Sequence, residues 1–306
     1  MANAFGGHVT VLAGHGFDEE LGPYLTINDM DAGTVNRFPV RGRTFSLRCL
    51  PRRRCIGRFD LATSEKSVCP LNVELLPDSK ETMCPACIEA TGFNPSFYYA
   101  DFVSPQQRAY NLTPHFVYLA YFSPSHVKAG ISNAARGRAR LLEQGARAAR
   151  IVGRFANADE ARRLEAALCA QEGILETMRA SLKERLLAEE RFDPAEATRV
   201  LDAATARMAK VPAVAEAGFA PEEVRDLSPF YFGGPSPDVH DLQLPEGHEG
   251  ECGGRCIGMV GANLVFEQGG MNYVVSVKDW ESHEVEVLDG EVICEYDFTP
   301  QQFSLF

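Results

Sequence analysis

His115-Phe116-Val117-Tyr118-Leu119-Ala120-Tyr121-Phe122, then Ser123-Pro124-Ser125, then Val127-Lys128-Ala129-Gly130-Ile131-Ser132 is the stretch on which the fold turns. An apolar run, a tight polar connection and a second β-prone run ending beside a glycine form a β-hairpin. The chain then becomes rich in Arg and Ala through Arg136, Arg138 and Arg140, and a second helical segment carries Glu160, Leu164 and Glu165. A hairpin followed at once by amphipathic helices is a sheet with helices laid against it, so the expected class is α+β.

Working outward, Ala158 to Glu190 is helical, with Ala161, Leu164, Leu168, Leu175, Met178, Leu182 and Leu186 at helical spacing and Gly173 as an interruption. Asp193-Pro194-Ala195-Glu196 has the chemistry of a helix start: Asp as cap, Pro in the first position, Glu three after the cap. That helix stops before Pro212, and a short helix is expected from Pro221 to Leu227. Gly233-Gly234-Pro235-Ser236-Pro237 reads as loop. Short strands are expected at His8 to Leu12, Tyr24 to Ile27 and Thr44 to Leu47. They recur at Met259 to Gly261, Asn263 to Phe266, Tyr273 to Val277 and Val285 to Leu288. These terminal strands are expected to join in one sheet or barrel. The division that follows is a β-rich segment over 1–48, a Cys-rich module over 49–110, a hairpin-and-helix domain over 111–227, a linker over 228–250 and a β-rich segment over 251–306.

Five cysteines stand in residues 49–87: Cys49, Cys55, Cys69, Cys84 and Cys87. Cys84-Pro85-Ala86-Cys87 is a knuckle that can turn two thiolates toward one metal. Cys55 and Cys69, each in a turn-prone context, complete four ligands, with Cys49 as the spare. Four thiolates close a tetrahedral site, so a structural zinc is expected. His248, Cys252 and Cys256, with Cys294, are a looser second set set around a Gly253-Gly254 turn. Phe93, Phe97, Tyr98, Tyr99, Phe102 and Tyr110 form an aromatic cluster suited to packing the zinc module, and less to stacking bases.

The net charge of −12 speaks against a nucleic-acid partner, but the charge is unevenly spread. Eight arginines and no acid lie between Arg37 and Arg58, and seven basic residues against one acid, Glu143, lie between Lys128 and Arg154. Arg52, Arg53, Arg54, Arg136 and Arg138 are therefore candidate contacts to nucleic-acid phosphates. There is no run of apolar residues long enough for a transmembrane helix and no secretory signature at the start, so the chain reads as cytoplasmic, without a membrane partner.

The hairpin resembles the GIY-YIG nuclease-like superfamily. Phe116-Val117-Tyr118 stands where Gly-Ile-Tyr would be, and Lys128-Ala129-Gly130 where Tyr-Ile-Gly would be. Arg140 stands for the helix arginine, with Arg136 and Arg138 as rivals, and Glu165 for the metal-binding glutamate. With the upstream cysteines and Glu143-Gln144-Gly145-Ala146, the wider chain resembles an uncharacterised bacterial family joining a Cys-rich module to such a domain. The resemblance implies a metal-dependent phosphodiesterase or nuclease. Tyr118 would position the nucleophile, Lys128 would add positive charge, Arg140 would clamp phosphate, and Glu165 would hold a catalytic magnesium. The alternatives are a nucleic-acid-binding or regulatory module without catalysis, and a recruited enzyme with a small-molecule substrate.

Overall fold

A computed structural model of the chain describes residues 3–94, 103–237, 242–243, 250–290 and 292–293. Phe97, Tyr98, Tyr99, Phe102, His248 and Cys294 lie outside the described residues.

The N-terminal strands are β1 (Thr10–Asp18), β2 (Gly22–Asp29), β3 (Thr34–Pro39) and β4 (Thr44–Arg54). The Cys-rich module follows, with short strands β5 (Arg58–Phe59), β6 (Lys66–Ser67) and β7 (Glu74–Leu75) and helix α1 (Pro85–Thr91). Helix α2 (Pro105–Asn111) leads into the hairpin, β8 (His115–Ser123) and β9 (His126–Asn133). Next come α3 (Gly137–Glu143), β10 (Ala148–Phe155), α4 (Ala158–Cys169), β11 (Ile174–Leu175) and α5 (Ala180–Glu189). After α6 (Pro194–Met208) and α7 (Pro212–Glu216) come β12 (Arg225–Asp226), α8 (Ser228–Phe232) and β13 (Leu242–Gln243). The chain ends in β14 (Glu251–Val260), β15 (Asn263–Gln268), β16 (Met271–Ser276) and β17 (His283–Asp289).

The fold is α+β. Terminal strands from both ends form one large sheet in the order β13-β16-β15-β14-β4-β17-β1-β2-β3, with β7 added beside β4. Its central strands β4 and β17 come from opposite ends of the chain, so neither segment can complete the sheet alone. Nothing among the described residues closes it into a barrel. A second sheet, β11-β9-β8-β10-β12, holds the hairpin. Every residue of β8 is buried because both faces are covered, which is why the run does not alternate with polar residues. Val117, Leu119 and Tyr121 pack with Ala161 and Leu164 of α4 and Leu201 of α6. Phe116, Tyr118, Ala120 and Phe122 pack with Leu141 and Leu142 of α3, Leu186 and Leu187 of α5, and the large sheet. Helices α3 and α5 are thus sandwiched between the two sheets. No described helix is long and apolar enough to cross a membrane.

Two local expectations change. Residues 221–227 are not a helix, since β12 pairs with β10 through Ala149 and Arg225, and the helical turn begins instead with Ser228 in α8. Cys252 and Cys256 do not sit in a flexible turn. They lie in β14, fully buried, with a spacing of four residues that places them roughly 13 Å apart along a strand. They cannot share a metal, and Gly253 is there because a Cβ would meet Ser46 Oγ at 2.2 Å.

Candidate metal centre and hairpin site

The Cys-rich module brings its four thiols together by local backbone devices. Cys55 leaves the end of β4, and two residues later Gly57 adopts φ +89°, where a Cβ would lie 1.9 Å from the Ser67 carbonyl oxygen. Only glycine allows the two segments to approach so closely. Cys84 caps α1, Pro85 opens it, and Cys87 sits in its first turn. The sulfur atoms of Cys55, Cys69, Cys84 and Cys87 all lie within 4.8 Å of one another, and all four residues are buried. Cys69 Sγ and Cys84 Sγ are 3.9 Å apart, much too far for a disulfide, at about 2.05 Å. The distance suits two thiolates on one tetrahedral zinc, for which about 2.3 Å to each sulfur implies roughly 3.8 Å between them.

Backbone N–H groups of Cys84 and Gly57 donate to Cys55 Sγ at 3.1 and 3.4 Å. Such bonds orient thiolates and support their charge. Burial pushes the Cys55 thiol up to about 11 and the Cys87 thiol up as well. At Cys69 burial also raises the value, but the N–H groups of Val73 and Leu71 outweigh it. Four buried thiols this close together suit a divalent cation, which displaces their protons on binding. The donor set fits zinc and leaves no position for substrate. Cys49 lies in β4, half-buried, apart from this group. The other clustered set, His8 with Asp29 and Asp31, is occupied in closing a turn: Asp29 accepts from His8 and from the Asp31 and Ala32 N–H groups.

In the hairpin, Tyr118 pairs with Gly130 and Ala120 with Lys128. Cross-strand partners share a face, so the Tyr118 ring lies over Gly130, where a Cβ would meet the phenol oxygen at 2.6 Å. Tyr118 is fully buried and its hydroxyl has no hydrogen-bond partner. Burial raises its pKa, Glu165 adds to the rise, and Arg140 opposes it. Lys128 is lowered by burial first, then by Arg140, against Glu165. The four residues therefore share one electrostatic neighbourhood, reached from β8, β9, α3 and α4.

Glu165 does not face this site as a free carboxylate. It is buried and accepts from Arg162 at 2.5 Å, and Arg162 also reaches Glu176 at 3.4 Å. Among the described residues Glu165 belongs to no cluster of three or more metal-ligating side chains, so a catalytic magnesium finds no support there.

The proposed nucleic-acid arginines are largely engaged. Arg53 is buried and donates to Ser282 Oγ and to the carbonyls of Leu76, Pro77 and Glu81, pinning the loop before α1. Arg54 donates to Glu284 at 2.6 Å, and Arg52 lies 3.7 Å from Glu74. Arg136 pairs with Glu143, while Arg138 stacks on Phe230 at 4.1 Å and lies 3.5 Å from Glu19. What the sequence reading missed is Lys183 of α5. It donates to the Gln144 carbonyl at 2.8 Å, and burial with Lys128, Arg140 and Lys278 lowers it to about 8. No local spacing signals it, because its neighbours come from three other elements.

Residues 104–285, well over half of the chain, match the family described as a protein of unknown function (DUF2797). The match is to this family and not to GIY-YIG nucleases, which overturns the superfamily resemblance and the composite family drawn around it. The short Tyr118 and Lys128-Ala129-Gly130 motifs were too brief to carry that identification, since a buried hairpin needs a tyrosine over a glycine for packing alone. The match begins after the four clustered cysteines. No curated protein and no solved structure matches the chain.

Proposed function

The chain belongs to the DUF2797 family of unknown function, and from its side chains we propose that it binds the phosphodiester backbone of nucleic acid at the hairpin, with the four-cysteine module holding a structural zinc. Arg140 carries the reading. It is a guanidinium with no carboxylate within ion-pair distance among the described residues, standing with Lys128 and Lys183 beside the buried Tyr118. Its planar fork suits a phosphate, and two lysines each lowered by burial and by Arg140 gain from an anion beside them. Binding without cleavage fits better than hydrolysis, because Tyr118 is closed to solvent and Glu165 is neutralised by Arg162.

One observation favours catalysis as the second reading: a buried, unpartnered hydroxyl facing an arginine is a group with a use still to be filled. The test is fluorescence anisotropy with single- and double-stranded DNA and RNA, alongside cleavage assays with and without magnesium. Binding should weaken roughly tenfold or more in Arg140→Gln and fall steeply with salt. Glu165→Gln should leave binding intact. Salt-independent binding, or no loss in Arg140→Gln, would rule the proposal out, and metal-dependent cleavage lost in Tyr118→Phe would move the protein to the second reading.

A further inference from the structure

Between α3, α5 and the large sheet lies a cleft of about 410 Å³. At its base the two modules touch backbone to backbone. Gly145 follows α3 at φ +73°, Gly261 turns β14 into β15 at φ +60°, and a Cβ on Gly261 would lie 3.1 Å from the Gly145 Cα. Lys66 of β6, Arg140 of α3, Lys183 of α5 and Lys278 of the turn before β17 converge on this space. Its two carboxylates are already used. Glu143 pairs with Arg136, and Glu281 pairs with Lys278 and lies 3.8 Å from His15. Among the described residues that leaves Lys66, Arg140 and Lys183 without an ion-pair partner. In a chain of net charge −12, the cleft gathers more cations than its two carboxylates, which also act on Lys66, can balance, and that excess suits an anion.

A second observation points the same way. Asn263 lines the cleft, and no described residue hydrogen-bonds its carboxamide, which leaves both its donor and its acceptor open to a ligand. Met178 and Val260 supply an apolar wall beside it. We infer that this cleft is a binding site for a nucleoside phosphate, its phosphates held by Lys66, Arg140 and Lys183 and a polar edge of its base or sugar held by Asn263. The volume lies in the range of small-molecule pockets, about 300–1,000 Å³. Three cations match the multiple charges of a phosphate ester better than a single carboxylate. The inference goes beyond the nucleic-acid reading and does not depend on it, although Arg140 and Lys183 are common to both and Lys66 and Asn263 belong to the cleft alone.

The experiment is isothermal titration of the full chain with ADP, inorganic pyrophosphate and citrate. ADP and pyrophosphate should bind, and citrate should bind much more weakly. Lys183→Met should weaken ADP and pyrophosphate by roughly tenfold or more, as expected for a lost charged contact. Lys66→Met, on a hairpin remote from either core, provides the same test where the α5 variant fails to fold. Asn263→Ala should weaken ADP and spare pyrophosphate, while Arg225→Gln, far from the cleft, should change neither. Absence of binding at about 1 mM ligand, citrate as tight as pyrophosphate, or wild-type affinity in both lysine variants would overturn the proposal.

Discussion

Tyr118 concentrates what a single residue does in this molecule. Its ring fills the space that Gly130 leaves open, and that packing is worth the burial of a whole aromatic side chain. Its hydroxyl gives little back: it faces the Arg140 guanidinium without reaching a well-formed hydrogen bond to any described group. Tyr118→Phe should therefore leave stability unchanged or raise it by up to about 1 kcal/mol, since it removes a desolvated hydroxyl without removing the ring. Urea denaturation measures this directly. A loss beyond about 1.5 kcal/mol would show that the hydroxyl is hydrogen-bonded in solution. A gain in stability joined to a loss of nucleic-acid binding or cleavage would mark the hydroxyl as kept for function at the expense of the fold.

At the scale of elements, the Cys-rich module has little apolar core of its own, so a metal bound at its four cysteines would hold it together. Among the described residues its cluster of buried apolar groups consists of the four cysteines, with Val73, Leu75 and Met83 packed around them. Metal analysis should return one zinc per chain, and Cys84→Ser should lose it and lower the melting temperature. Lys66 stands three residues before Cys69, on the β5–β6 hairpin that packs on Gly57. Stripping the metal with a chelator should therefore also weaken pyrophosphate binding, to about the extent of Lys66→Met. Full affinity in the metal-free protein would mean that the hairpin holds its place without the metal.

On the scale of the whole molecule, the interface between the two sheets gathers like charges that its own surroundings oppose. Lys183 is lowered to about 8 from an ordinary 10.5, first by burial and then by Lys128, Arg140 and Lys278. The folded state thus binds this proton less readily than the unfolded state. The penalty is fully present below about pH 8 and disappears as pH rises toward 10.5, so stability rises with pH across that window. Denaturant midpoints of wild type and Lys183→Met should converge between pH 8 and 10, with the variant the more stable at pH 7. Parallel curves across that range would show that Lys183 titrates normally. Pyrophosphate should stabilise wild type more at pH 7 than at pH 9.5, because it binds the charged form.

What the sequence determined by itself is what short range decides. The continuous apolar run of β8, the Pro124-Ser125 connection and the Asp193-Pro194 helix start each specify local backbone geometry, and each is found in place. The four clustered cysteines were legible for the same reason: a knuckle and two turn-placed cysteines state their chemistry within a few residues. The terminal β-rich segments could be read as parts of one sheet, but not their order, since β4 pairs with β17 across more than two hundred residues and only long-range burial selects that partner. Pattern could not tell that Arg53 would be buried as a loop anchor, that Glu165 would be neutralised by Arg162, or that β14 would run straight through the Gly253-Gly254 pair. The cleft was wholly invisible, because Lys66, Arg140, Lys183 and Asn263 acquire their meaning from proximity. Charge acts through space, and only the packing of α3 and α5 between the two sheets brings those charges together.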